Sequence, residues 1–283
     1  MKIAITGASG YIGGHLTRFF EEKGDEVVPL GRDLFKEQNF DALCRNVEGA
    51  HVVVNLAGAP INKRWTEAYK RELYESRVPV TRRLVEAIGQ MTVLPELFMS
   101  ASAVGYYPAS GEYDEQTEKR GDDFLARLCA AWEGEARRCP PGTRLVLTRF
   151  GIVLSKDGGA LKQMLRLQHL SQTGAVIGSG RQRFPWISAY DLCRSFEFII
   201  RKRQLRDAVN LVSPQSITQK QLAHVLAKAD GIRWTIRLPE FFFRLMFGEG
   251  ASFLTKGQNV RPAKLLESGF TYVYPTIEKL MGV

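Results

Sequence analysis

The residues best suited by type and spacing to do chemistry stand near the start of the chain, in Gly7-Ala8-Ser9-Gly10-Tyr11-Ile12-Gly13. A loop of this kind between a short apolar strand and a helix presents backbone N–H groups that can hold the diphosphate of a dinucleotide. Gly7 allows the sharp turn, Gly10 lets phosphate approach the backbone, and Gly13 permits close helix packing; Ser9, Tyr11 and Ile12 complete the cradle. A purely structural turn is the alternative, and the strand before the loop and helix after it weigh for the cofactor. Further on, Leu30-Gly31-Arg32-Asp33 ends the second strand, where an acidic side chain usually meets the ribose hydroxyls of NAD. Here Gly31 makes room and Arg32 can meet a 2′-phosphate, so NADP(H) is the expected cofactor, while Asp33 keeps NAD as the alternative.

These groups are positioned by alternating elements. Lys2–Thr6, Glu26–Leu30, His51–Leu56, Leu97–Ser100 and Arg144–Arg149 read as strands, and Ile12–Lys23, Thr66–Gly89 and Asp122–Arg138 as helices. Such alternation implies an α/β fold with a doubly wound, mostly parallel sheet covered on both faces. After Gly151 the rhythm breaks, with glycines at 158, 159, 174, 178 and 180 around one amphipathic stretch near Ala160–Leu170. The expected division is a Rossmann-like unit over 1–153, rejoined by 188–212, and a smaller α+β lobe from 154–187 and 213–283. The apolar run Leu238–Phe247 contains Pro239, Glu240 and Arg244, too short and charged to span a bilayer, and is expected to pack within the smaller lobe rather than contact a membrane.

Composition narrows the function. With 283 residues, 45% of them hydrophobic, the chain can bury a large core without disulfides or metals. Cys44, Cys129, Cys139 and Cys193 are scattered, and His15, His51, His169 and His224 show no ligand spacing, so no metal site is expected. The net charge of +9 is spread along the chain, which suits a solvated surface and an anionic small molecule better than a nucleic-acid groove. With no apolar leader or membrane span apparent, a cytoplasmic protein is expected.

Several motifs together resemble the extended short-chain dehydrogenase/reductases, the group of nucleotide-sugar epimerases and dehydratases. They are the glycine loop, Asn55-Leu56-Ala57-Gly58 after the fourth strand, Ser100-Ala101-Ser102-Ala103-Val104 after the fifth, and Arg149-Phe150-Gly151 after the sixth. Ser100–Tyr107, Phe184-Pro185-Trp186-Ile187 ahead of Asp191, Lys264–Phe270 and Tyr274-Pro275-Thr276 are similar to one atypical subfamily, labelled nucleoside-diphosphate-sugar epimerase, with a C-terminal domain of unknown function. The resemblance places Leu56, Ala57, Gly58, Phe150 and Gly151 around the cofactor and gives Ser102 the role of orienting a substrate hydroxyl or carbonyl. It also implies a tyrosine and a lysine on the next helix, yet alignment on Trp132-Glu133 puts Leu125 and Cys129 there. The family's asparagine on the preceding helix is replaced by Arg77.

Substitutes are at hand. Tyr106 and Tyr107 follow the serine strand at the sheet edge where ligands collect, so either phenol could serve as the acid, with ordinary packing as the alternative. Glu72 and Arg77 could clamp ribose or nicotinamide amide groups, or form a surface ion pair. Asp191 resembles the family's aspartate at the hinge between lobes, and capping of the helix that follows it is the favoured alternative. Gly178–Trp186 could hold a diphosphate and a base through Arg181, Arg183 and its aromatic rings, or be a basic surface loop. The expected function is an NADP(H)-dependent oxidoreductase or epimerase acting on a small carbonyl or hydroxyl substrate, a nucleotide sugar among the candidates. The rival is a non-catalytic NADP(H)-binding regulator working through a protein partner. The helices Thr66–Gly89 and Asp122–Arg138 could pair as four helices in a homodimer.

Overall fold

Ile3-Ala4-Ile5 and Val52-Val53-Val54 are continuous apolar runs because both faces of their strands are covered. The computed structural model describes residues 1–283. Its central sheet holds β1 (Lys2–Thr6), β2 (Glu26–Leu30), β3 (Val52–Asn55), β4 (Leu97–Ala103), β5 (Arg144–Phe150) and β6 (Asp207–Leu211). They are all parallel, in the order β2-β1-β3-β4-β5-β6. The longer helices are α1 (Tyr11–Glu21), α2 (Phe40–Val47), α3 (Glu67–Glu75), α4 (Val78–Gly89), α5 (Phe124–Ala136), α6 (Gly159–Ser171), α7 (Ala189–Arg201), α8 (Gln219–Ala229) and α9 (Glu240–Phe247).

The period of two in the strands divides the core. Ile3, Ile5, Val54 and Met99 pack with Leu16 and Phe20 of α1 and Leu192, Phe196 and Ile199 of α7. Ala4, Val53, Phe98 and Leu147 point the other way, onto Leu43 and Val47 of α2 and Leu84 and Ile88 of α4. Strand order reverses between β1 and β3, so the crevice of this doubly wound sheet opens above the ends of those two strands.

After β5 the chain builds smaller units. Residues 152–155 pair with 186–188, 174–177 with 235–238, and 112–113 with 259–260, each in parallel. Leu161, Trp186, Leu222, Leu226 and Ile277 form a second core, whereas Leu265, Phe270 and Tyr272 return to the main one.

Four expectations change. The motifs at Asn55, Ser100 and Arg149 end the third, fourth and fifth strands, because residues 32–39 form two short 3-10 turns rather than a strand. The stretch Thr66–Gly89 is two helices, since Pro79 has no N–H to give to the preceding turn and breaks the path at Ser76-Arg77. Ser188, not Asp191, caps α7, its hydroxyl accepting from the Asp191 N–H at 2.9 Å. Finally, the apolar run Leu238–Phe247 packs only in part: Leu238, Phe243 and Phe247 are half-buried, whereas Phe241, Phe242, Leu245 and Met246 of α9 are exposed. No helix is long and apolar enough to cross a membrane.

Candidate cofactor and active site

The glycine loop is shaped by contacts that only glycine permits. Gly7 has φ +66°, and a Cβ there would lie 2.9 Å from the Leu56 carbonyl oxygen. A Cβ on Gly13 would come within 2.1 Å of the Gly7 carbonyl oxygen. Gly10 donates its N–H to that same oxygen at 2.9 Å and begins α1 without a side-chain cap or any acidic residue in the first turn. The first N–H groups of the helix are therefore free for an anion, as its dipole favours. Ser9 is exposed, Ile12 packs on the main core, and the Tyr11 ring rests on Gly158 and Gly159 at the start of α6.

Beneath the crevice lies a polar network. Thr6 Oγ1 accepts from the N–H groups of Leu56 (2.9 Å) and Ala57 (3.0 Å) and donates to Asn55 Oδ1 at 2.8 Å. Asn55 Nδ2 in turn donates to Thr81 Oγ1 at 2.7 Å and Ser100 Oγ at 3.3 Å. This chain fixes the Leu56-Ala57-Gly58 loop against β1. Sequence reasoning missed Thr6, Thr81 and Ser100; the available signal was a polar residue closing an otherwise apolar strand, as at Thr6 and Asn55.

Arg77 is placed under that loop. Its guanidinium donates to the carbonyls of Ala59 (2.9 Å) and Leu73 (3.1 Å) and to Ser76 Oγ (3.3 Å), and lies over the Trp132 ring. A Cβ on Gly58 would stand 2.7 Å from Arg77 Cζ, so glycine is needed for the approach. Burial without a carboxylate partner pulls the Arg77 pKa below its usual value. Glu72 is exposed on α3 and does not meet Arg77, so the expected clamp is not formed; the helix break separates the pair. Gly31 and Arg32 are exposed at the end of β2, Arg32 in no ion pair. Asp33 binds Lys36 at 2.7 Å, and this partner lowers its carboxyl pKa.

A second network runs under the end of β4. Ser102 Oγ donates to Glu133 Oε1 at 2.7 Å, and Arg149 grips both oxygens of Glu133, each at 2.8 Å. Arg149 Nη1 also donates to Tyr107 Oη at 2.9 Å, and its guanidinium carbon stacks 3.7 Å from the Tyr106 ring centre. Tyr107 is only 1% exposed, its hydroxyl set between the Asp114 carbonyl (2.9 Å) and Asn210 Oδ1 (3.1 Å). Burial raises the Tyr107 pKa despite Arg149. Tyr106 is half-buried and its hydroxyl makes no hydrogen bond within the protein. Leu125 lies against Gly105, and Cys129 is buried beside Ser102 with its thiol pushed up to about 12 by burial. Phe150 packs near Phe196, and Gly151 meets the Pro185 carbonyl, where a Cβ would be 2.8 Å away.

Along Gly178–Trp186, Phe184 and Trp186 are core residues while Arg181 and Arg183 are exposed. Both arginines border a cleft of ≈ 500 Å³ together with Lys256, Ser110 and Asn259. The Asp191 carboxylate accepts from the N–H groups of Val273 and Tyr274, each at 2.8 Å, and so ties the C-terminal stretch to α7.

Residues 3–211 match the model of the NAD dependent epimerase/dehydratase family, and residues 238–281 match a domain of unknown function, DUF1731. The chain is similar to the chloroplastic SDR39U1 homolog of Arabidopsis thaliana, an epimerase family protein, at 32% identity over 98% of this chain and 85% of that one. The crystal structure of human epimerase family protein SDR39U1 (isoform 2) with NADPH superposes with a TM-score of 0.90 at 32% identity, covering 99% of this chain and 98% of that one. A nucleoside-diphosphate sugar epimerase from Corynebacterium glutamicum gives a TM-score of 0.80 at 28% identity, over all of this chain and 57% of its own. The parallel sheet, the glycine cradle at its switch point and these matches agree: the chain belongs to the NAD dependent epimerase/dehydratase family.

Proposed function

We propose that the protein is an NADP(H)-dependent oxidoreductase or epimerase acting on a small carbonyl or hydroxyl compound, a nucleotide sugar among the candidates. The observation that carries the cofactor is the cradle: Gly7, Gly10 and Gly13 leave backbone N–H groups open above the switch point. Arg32 stands free at the end of β2, while Asp33 is engaged by Lys36. That pairing supports NADP(H) over NAD, because the one acid near the ribose is already neutralised and a cation remains for the extra phosphate. The human relative's complex with NADPH points the same way. When bound, the nicotinamide supplies hydride donation and acceptance.

The chain's own residues handle the proton. Glu133 takes the Ser102 proton into its hydrogen bond and leaves the serine lone pairs to accept from a substrate hydroxyl. Leu125 and Cys129 cannot replace a tyrosine and a lysine, the first having no proton and the second a buried thiol held at about 12. Of the two tyrosines, Tyr107 is committed to structure, whereas Tyr106 keeps its hydroxyl free of protein partners while Arg149 stacks on its ring and holds it in place. We assign the proton-exchanging role to Tyr106.

The test combines calorimetry and turnover. NADPH should bind more tightly than NADH, and Arg32→Ala should weaken NADPH by about tenfold to a hundredfold while leaving NADH unchanged. On a panel of carbonyl compounds and sugar nucleotides, Tyr106→Phe should lower kcat by roughly a hundredfold or more. Failure to take up either coenzyme at millimolar concentration would overturn the cofactor assignment. Tight NADPH binding with no turnover on any compound would replace the enzyme by the non-catalytic regulator.

A further inference from the structure

Residues 231–247 expose six large apolar side chains to solvent. Along strand 235–238, Thr235 faces Gly174 and the α8 side, so Trp234 and Ile236 point outward. Helix α9 follows at once and exposes Phe241, Phe242, Leu245 and Met246. The exposure is large: 75% for Trp234, 69% for Phe241 and 67% for Leu245. Single exposed apolar residues are ordinary, but six within thirteen positions, from Trp234 to Met246, are of the kind that marks an interaction site.

Charge decides what it meets. Residues 231–247 carry Arg233, Arg237 and Arg244 against the single acid Glu240. Glu240 is spent on Arg244 at 2.9 Å, and neither Arg233 nor Arg237 forms an ion pair. A second copy docking through this face would bring like charges together, so the complement is anionic. Phe241, Phe242, Leu245 and Met246 also protrude from one face of the helix while Phe243 and Phe247 are half-buried on the other, which suits a fluid surface that closes around each protruding side chain. Tryptophan, phenylalanine and arginine on one short amphipathic unit fit the boundary between headgroups and acyl chains. From this we infer that α9 and the outer face of strand 235–238 are a peripheral docking surface for an anionic lipid bilayer, entered by the apolar side chains and steered by the arginines.

The experiment uses the full chain with vesicles of phosphatidylcholine alone or with phosphatidylglycerol. The wild type should sediment with the phosphatidylglycerol vesicles and not with phosphatidylcholine alone, and added salt should weaken that binding. Arg233→Glu with Arg237→Glu should reduce it by about tenfold or more. Phe241→Asp with Leu245→Asp should abolish it. Quenching by brominated phosphatidylglycerol that is present in the wild type and lost in Trp234→Phe reports Trp234, since Trp65, Trp132 and Trp186 are buried and unchanged in that variant. Absence of quenching, equal binding to neutral vesicles, or light scattering that shows a dimer dispersed by Phe241→Asp would each overturn the inference.

Discussion

A carboxylate at position 133 holds two side chains at once, Ser102 and Arg149, and its removal separates structure from chemistry. Glu133 and Arg149 are each 4% exposed, and their two-pronged contact neutralises an arginine that would otherwise stand desolvated between two tyrosine rings. Breaking such a pair from one side typically costs about 3–5 kcal/mol, because the remaining charge keeps its desolvation penalty. Glu133→Gln should therefore lower unfolding free energy by about that amount in urea titrations. Ser102→Ala, which removes one hydrogen bond to a charged group, should cost about 1.5–3 kcal/mol. Equal small losses in both would mean that Glu133 contributes little beyond the serine contact. The glycines of the cradle were legible in the sequence, since their type states what the backbone must do. The Ser102–Glu133–Arg149–Tyr107 chain was legible only as separate motifs, because its members come together through the register of β4 with β5, and α5 brings Glu133 to them.

Among the elements, the alternation of strands and helices could be read directly: buried parallel strands are apolar throughout, and the helices between them are not. The break at Ser76-Arg77 was signalled by Pro79, but a continuous amphipathic pattern on either side masked it. The exposure of α9 was hidden for another reason, since an apolar face states only that it seeks cover and not which surface supplies it. The start of α7 shows how one element can fasten another. Ser188 caps the helix, and its hydroxyl also donates to Asp191 Oδ2 at 2.9 Å, aligning the carboxylate that receives the Val273 and Tyr274 N–H groups. Ser188→Ala should cost about 1 kcal/mol, the usual worth of a cap. Asp191→Ala removes an ionised acceptor from two backbone donors as well as from Arg194, so it should cost about 3 kcal/mol or more. Denaturant unfolding of both variants checks the order, and an effect of Ser188→Ala as large as that of Asp191→Ala would contradict it.

The whole molecule follows from where the tail goes. Leu265, Phe270 and Tyr272 are buried against β6 and α7 in the same core as Ile3 and Leu16 of the cofactor unit. Tyr272 donates its hydroxyl to the Val212 carbonyl at 2.8 Å, and burial pushes its pKa well above the ordinary phenol range. Trp65 and Arg64, in the loop after β3, donate to the carbonyls of Phe247 and Leu245, so the approach to the cofactor crevice is also held by the C-terminal stretch. Residues 238–281 match a family model of their own, which would suggest a detachable module. Their contacts argue otherwise. A chain ending at Arg237 would uncover the apolar faces of β6 and α7 and leave the Asp191 carboxylate buried without its two donors. Each large apolar side chain deleted from such a core costs about 2–5 kcal/mol, and total stability of a domain is about 5–15 kcal/mol. The shortened chain should therefore fail to give a cooperative thermal transition, and the full chain should melt once, with calorimetric and van't Hoff enthalpies equal. Two resolved transitions, or a soluble shortened chain that still binds NADPH, would show that the tail is an appendage to the cofactor unit and not part of its core.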